Sequence, residues 1–302
     1  MKARRTSIWR KSNCRAPSRS PKVSRRKPAW RLPLAQASFC SGRRFPRPKS
    51  ERFFRGVAML NEEQLLADYR RDGFVCLRSF LSPAKVQEIQ NEIDRYVRDD
   101  LLSRPEDACT READGQTVRN LWRLERYSDY FRRMAQEESL LKVVAPLLGG
   151  ELVLLGVETF NKPARVGSGV PWHQDNAYFC QSPPDVLTLW IAIDAVTAEN
   201  GPVRFIPGSH QLGMLPTVMS GVRGNSIGLA QPPSAEMGQE VPTLLAPGDA
   251  TIHHCQTVHA SSPNTTDNSR LALLFVFRSA KTETDSSLKS SYVEAVAVTP
   301  PA

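Results

Sequence analysis

The residues best equipped for chemistry lie in stretches far apart in the chain: Pro171-Trp172-His173-Gln174-Asp175, then His259 and Arg270. His-x-Asp followed 84 residues later by a single His has the spacing of a two-histidine, one-carboxylate facial triad. Such a triad leaves three positions open on an iron ion, which suits non-haem Fe(II) chemistry with O2. On a β-strand His173 and Asp175 would share a face, because side chains alternate with period 2. The third ligand then has to come from another strand, so a long gap in sequence is expected. Arg270, eleven residues past His259, offers a planar guanidinium fork for the carboxylate of a co-substrate. A lone His-x-Asp reads equally well as a polar loop pair. The distal His and the Arg make the pattern more specific.

All five histidines fall between positions 173 and 259: His173, His210, His253, His254 and His259. His253 and His254 compete with His259 for the distal ligand. Adjacent residues on a strand face opposite ways, so at most one of that pair can face the site. His259 stands at a strand end before Ser261-Ser262-Pro263-Asn264, where ligand and solvent meet, and is the better candidate. Arg270 opens an otherwise apolar strand. An edge-strand arginine with its head in water is the bland explanation; a buried one needs an anion, because an unpaired buried charge is expensive.

The elements that must position these residues change character along the chain. Residues 1–58 carry 18 of the 40 Lys and Arg and a single acid, Glu51, of 31. That segment is therefore +17, and the remainder is −8, so the whole-chain charge of +9 is no nucleic-acid signal. Arg, Ser and Pro dominate it without an apolar period, which predicts disorder. It reads as an organelle transit peptide, as a basic arm, or as sequence upstream of a true start at Met59. Six cysteines without a framework spacing predict free thiols in a reducing compartment, the cytoplasm or an organelle matrix. No apolar run reaches the ~18–20 residues that span a bilayer, so no membrane partner is expected.

From Asn61 the pattern is helical. Asn61 to Gln64 fits a capping box, and Gly73 fits a left-handed stop. Phe74–Leu77 reads as a strand. Ser82-Pro83 opens a second helix with Val86, Ile89, Ile93 and Val97 as its apolar stripe. Residues 99–118 read as a mobile loop, and Tyr127 to Leu148 as one or two helices ended by Pro146 and Gly149-Gly150. From Glu151 the period becomes strand-like. Leu152–Phe160, Val186–Asp194, Val203–Pro207, Ala250–Cys255 and Leu271–Phe277 are β-branched or aromatic runs. Gln211 to Val241 shows no clear structure, and a loop that long predicts a lid or binding loop. The expected fold is mainly β with N-terminal helices (α+β), a double-stranded β-helix or jelly roll. Residues 59–302 form one domain, with a helical buttress at 59–150 and a β core at 151–280.

Taken together, the motifs resemble the phytanoyl-CoA dioxygenase family, Fe(II)- and 2-oxoglutarate-dependent oxygenases that include ectoine hydroxylase. The resemblance rests on Trp172-His173-Gln174-Asp175, Leu189 to Asp194, Glu199-Asn200-Gly201-Pro202 and Ile206 to His210. It continues through Gly248-Asp249-Ala250, Val258-His259-Ala260-Ser261, Asn264 and Arg270, and begins near Asp72-Gly73-Phe74. It implies His173, Asp175 and His259 as ligands of Fe(II), with Arg270 on the distal carboxylate of 2-oxoglutarate. Gln174, Trp190 and Ser261 stand where family members can touch that co-substrate. The Glu-Asn-Gly and Pro-Gly-Ser-His stretches are then structural, with His210 a folding residue. Asn176-Ala177-Tyr178-Phe179 replaces the longer acidic stretch of ectoine hydroxylase, which argues against ectoine. Asp175 itself argues against a halogenase, which needs a small residue there.

The implied reaction consumes 2-oxoglutarate and O2, releases succinate and CO2, and hydroxylates a small molecule. Desaturation and epimerisation use the same triad. The rival from another class is a jelly-roll protein that binds a metal, such as zinc, without redox turnover.

Overall fold

The structure, a computed structural model, describes residues 54–56, 61–222 and 225–298. Strand β1 (Phe54–Gly56) belongs to the segment expected to be disordered, yet it pairs in parallel with β2 (Phe74–Arg78). The rest of that leader, with Cys14 and Cys40, and Met59 just after it lie outside the described residues.

Between these two strands runs α1 (Glu62–Asp72). Asn61 caps it by accepting the Glu63 N–H at 2.9 Å, while Gln64 donates to Asp68 instead of closing the expected reciprocal box. Gly73 stops the helix at φ 77°, and any Cβ there would strike His210 and Thr257. Helix α2 (Pro83–Arg95) is capped by Ser82 and buries Val86, Ile89 and Ile93. Residues 99–118 are not a free loop. They contain β3 (Cys109–Arg111), which forms a hairpin with β4 (Val118–Leu121), and β4 docks on β5 (Leu152–Lys162). All four residues of β4 are buried although two are polar, so no apolar alternation advertises the strand.

Three helices, α3 (Leu124–Tyr127), α4 (Asp129–Met134) and α5 (Glu138–Leu148), occupy the next stretch. Pro146 sits inside the last turn of α5 and does not end it. So close to the C-terminus it removes a single backbone bond, and Gly149 at φ 70° makes the stop.

After β5 come β6 (Val170–His173), α6 (Asn176–Phe179), β7 (Gln181–Ser182), β8 (Val186–Ala192) and β9 (Val203–Phe205). The stretch from Gln211 to Val241 holds a hairpin, β10 (Thr217–Val222) with β11 (Asn225–Leu229), and leads into β12 (Val241–Pro242). The chain closes with β13 (Ala250–His254), β14 (His259–Ser261), β15 (Arg270–Ser279), β16 (Glu283–Thr284) and α7 (Ser286–Val298).

An eight-stranded sheet in the order β1-β2-β13-β8-β15-β5-β4-β3 faces a four-stranded sheet, β12-β9-β14-β6. Apart from β1 with β2, the pairings are antiparallel. This is a jelly roll, with open edges. Strand β15 shows how it holds together. Leu271, Leu273, Phe275 and Phe277 point outward into a core shared with α1, α2 and α5. Ala272 and Leu274 point inward to meet Phe74, Trp190, Val203 and Phe205 between the sheets. Each such buried side chain stabilises the fold by about 1.5–3 kcal/mol relative to exposure. The clean period of 2 therefore decides which face each strand residue serves. The segment 59–150, expected as a helical buttress, also contributes β2, β3 and β4 to the main sheet. No helix among the described residues is long and apolar enough to cross a membrane.

Candidate active site

A cavity of about 240 Å³ opens between the two sheets. One end gathers the predicted ligands. His173, the last residue of β6, and His259, the first of β14, are direct cross-strand partners, and this closes the 86-residue gap between them. Their ring centroids are 4.1 Å apart. Asp175 does not share their strand, as the period-2 argument required. The chain turns after His173, and Asp175 takes helical φ/ψ (−60°, −30°) as the N-cap of α6. That turn aims its carboxylate at the histidines: Asp175 Oδ1 lies 3.4 Å from His173 Nε2 and 3.6 Å from His259 Nε2. Ligand atoms of all three lie within 4.8 Å of one another, close enough to hold one metal ion.

The hydrogen bonds show which atoms are free to bind it. His173 Nδ1 donates to the Pro171 carbonyl at 2.8 Å and His259 Nδ1 to the Thr257 carbonyl at 2.9 Å. A carbonyl can only accept, so each proton sits on Nδ1 and each Nε2 presents a lone pair. Asp175 Oδ2 accepts from Thr188 Oγ1 at 3.2 Å and from His253 Nε2 at 3.1 Å, which leaves Oδ1 for the centre. Three lone-pair atoms thus converge without a proton between them, an arrangement that is repulsive unless a cation joins them. Burial pushes the Asp175 carboxyl upward, and the surrounding histidines, His259 foremost, bring it well below the usual carboxylate range. Burial and then the neighbouring His173 hold His259 well below the usual imidazole range. An ionised carboxylate and neutral imidazoles are the states a metal requires. The residues fit an iron centre.

His253 and His254 part as strand alternation demands. His253 faces the site and supports Asp175, while His254 turns away toward Tyr69 and His210. His210 contacts the Arg70 carbonyl and packs on Gly73, a folding role.

The other end of the cavity is cationic. Arg270 is 2% exposed. Its Nη2 donates to the Gly201 carbonyl at 3.1 Å, and its guanidinium lies 5.1 Å from the centre of the Trp190 ring. Gly201 can present that carbonyl because it takes φ 82°, in a crowded position where a Cβ would strike Ser262. Arg270 Nε is buried without a partner, and no carboxylate among the described residues lies within ion-pair distance. Burial pulls this guanidinium down to about 9, only partly offset by Asp194. Lys162, directly opposite Arg270 on β5, is pulled down to about 6 by burial and by the charges of Arg270 and Arg119. A site with this charge is completed by an anion.

Trp190 and Ser261 line the cavity. Gln174 does not. Its side chain donates to the carbonyls of Gly213 (2.8 Å) and Gln256 (2.7 Å) and accepts the Leu215 N–H (2.8 Å). It is fully buried and braces the turn after β6 instead of reaching the cavity. His253, weighed in the sequence as a rival distal ligand, also lines the cavity, as do Arg119, Lys162 and Glu158, which the sequence did not single out. The alternation of β5 could have flagged Lys162 and Glu158, which share a face with Phe160; nothing local flags Arg119.

The fold, the triad and the buried arginine define an Fe(II)- and 2-oxoglutarate-dependent dioxygenase. The sequence model of the Phytanoyl-CoA dioxygenase (PhyH) family matches residues 69–272, and the chain belongs to that family. It is 28% identical over 228 residues to L-proline trans-4-hydroxylase of Streptomyces griseoviridis, covering 69% of this chain and 83% of the relative. To ectoine dioxygenase of Bordetella parapertussis it is 25% identical over 226 residues, covering 70% and 73%. Among solved structures it is similar to the epimerase SnoN, determined with Fe3+, alpha ketoglutarate and nogalamycin RO. There the TM-score is 0.63 at 26% identity, covering 80% of this chain and 93% of that one.

Proposed function

We propose that this enzyme hydroxylates a C–H bond of a small molecule, with His173, Asp175 and His259 as the iron ligands. Arg270 receives the distal carboxylate of 2-oxoglutarate, with Trp190 and Ser261 beside it and the Arg119 guanidinium adding positive charge. Relatives named for hydroxylation of proline and dioxygenation of ectoine support a small, polar substrate. The single observation that carries the reading is the pairing of a three-donor metal site with a buried, anion-seeking arginine in one cavity.

Iron with 2-oxoglutarate supplies the oxidising power, using O2 and releasing succinate and CO2. The chain supplies position. The carbonyls of Pro171 and Thr257 hold both imidazoles with Nε2 inward, and Thr188 and His253 hold the carboxylate. The Trp190 ring, its centre 5.1 Å from the guanidinium carbon, gives the Arg270 side chain an aromatic face beside the cavity. Leu274, Val276 and Phe160 give the cavity apolar walls around the reacting groups. The four cysteines Cys76, Cys109, Cys180 and Cys255 are free, which supports a reducing compartment such as the cytoplasm.

The test is anaerobic titration of iron-loaded protein with 2-oxoglutarate, following the metal-to-keto-acid charge-transfer absorbance, then O2 with a metabolite panel read by mass spectrometry. A band, succinate and a product with one added oxygen are expected. Iron-loaded protein without any band would refute the oxygenase reading in favour of a metal-binding module. A band with product of unchanged mass would indicate epimerisation.

A further inference from the structure

Among the described residues Glu158 is the one carboxyl of the cavity wall apart from Asp175, and the function proposed above gives it no work. It lies on β5 opposite Leu274, facing inward with Phe160 and Lys162. Its Oε1 hangs over Gly156, where a Cβ would stand only 3.4 Å away. Gly156 pairs with Val276, and Val276 pairs with Thr188, which donates to Asp175. The Glu158 carboxyl is thus two strands from the column that supports the metal end, about 10 Å at roughly 4.8 Å per strand. That separation leaves room for a small molecule to lie between the two.

Among the described residues Glu158 makes no hydrogen bond and no ion pair. The nearest influential cation, Arg123, is already paired with Asp107 at 2.9 Å. The other charges that act on Glu158 are Asp175 and Glu125, both negative. Burial first, then these two, raises its carboxyl to about 8. Its residual exposed face opens into the cavity, whose wall beside it is Phe160, with Trp122 edge-on at 5.6 Å. An unpaired carboxyl and aromatic faces together favour one kind of guest, a cation. The cationic end of the same cavity repels such a guest and takes the keto acid, so the two ends sort the two ligands by charge.

We propose that Glu158 is a substrate-recognition residue that selects a small molecule bearing a protonated amine and orients it between β5 and the iron end of the cavity. This deepens the function proposed above and rests on the cavity being the substrate site.

The experiment uses full-length protein loaded with Fe(II) and 2-oxoglutarate without O2, and three probes of similar size: cyclohexylmethylamine, cyclohexylmethanol and cyclohexanecarboxylate. Calorimetric titration at pH 7, in two buffers of different ionisation enthalpy, reads both affinity and proton release. Wild type should bind the amine at least about tenfold more tightly than either counterpart, releasing close to one proton as Glu158 ionises against the ammonium. The isosteric Glu158→Gln should lose both the preference and the proton release. Glu158→Arg should move the preference to the carboxylate. Both variants should keep the wild-type charge-transfer titration with 2-oxoglutarate, which also shows that they are folded. An intact band with no amine preference in wild type, or with the preference unchanged in Glu158→Gln, would overturn the proposal. A missing band in wild type would instead strike the oxygenase reading, and the calorimetry would still decide whether Glu158 selects a cation.

Discussion

At the iron end of the cavity each supporting group has a protein partner: two backbone carbonyls for the histidine Nδ1 atoms, Thr188 and His253 for Asp175 Oδ2. At the cationic end Arg270 has one backbone acceptor, an aromatic face and a buried Nε with nothing to bond. The first end is oriented before any ligand arrives. The second is left unsatisfied, and in the proposed function the far carboxylate of 2-oxoglutarate completes it. The difference is one of division of labour. Rigid geometry serves the metal, whose donors must converge within a few ångströms. Unspent charge serves the co-substrate, which must come and go each turnover.

The comparison breaks most visibly at Asp175. Asp175→Ala removes the only anionic donor and should weaken Fe(II) binding beyond the ~100-fold typical of losing a mere supporting partner. Succinate formation should vanish; near-normal turnover in that variant would remove Asp175 from the centre. Arg270→Ala should do the opposite, retaining Fe(II) while losing 2-oxoglutarate affinity. A bidentate pair of charge-assisted bonds at roughly 1.5–3 kcal/mol each predicts at least a ~100-fold loss. Arg270→Lys keeps the charge but not the fork and should cost about tenfold. An unchanged charge-transfer titration in Arg270→Ala would make that arginine purely structural. His253 sharpens the comparison from the supporting side. His253→Ala should weaken iron binding by about tenfold, whereas His254→Ala, facing away, should leave it near wild type. The reverse ranking would mean the wrong histidine faces the site.

The smallest effect is a pH dependence. Glu158 is raised to about 8 from an ordinary 4.5, so between those values the folded protein keeps a proton that the unfolded chain releases. Folding stability contributed by this group is therefore full below about pH 4.5 and falls as pH rises toward 8. Glu158→Gln should show a melting temperature that gains on wild type across that window and then levels off. Because the carboxyl opens into a cavity that water can enter, the gain should be modest. Melting curves that run parallel from pH 5 to 8.5 would show that Glu158 is not desolvated in solution.

Sequence spacing alone was enough to nominate His173, Asp175, His259 and Arg270, because metal donors and a carboxylate fork draw on few residue types. Helix caps at Asn61 and Ser82, the left-handed stop at Gly73 and the long runs of β5, β8 and β15 were legible for a similar reason: each is a local chemical preference. What local chemistry could not decide was who faces whom. The pairing of His173 with His259 is a matter of sheet register, and Asp175 reaches them through a turn after β6, not through strand alternation. Gln174 looked like a co-substrate contact until three hydrogen bonds showed it spent on the backbone. Buried β4, half polar, carried no amphipathic signature, so Arg119 was invisible. Glu158, an ordinary glutamate on an ordinary strand, became a lone carboxyl only when two sheets closed over it and no cation came with them. Residue type sets what a group can do; burial and neighbours, decided by tertiary packing, set whether it has anything left to do it with.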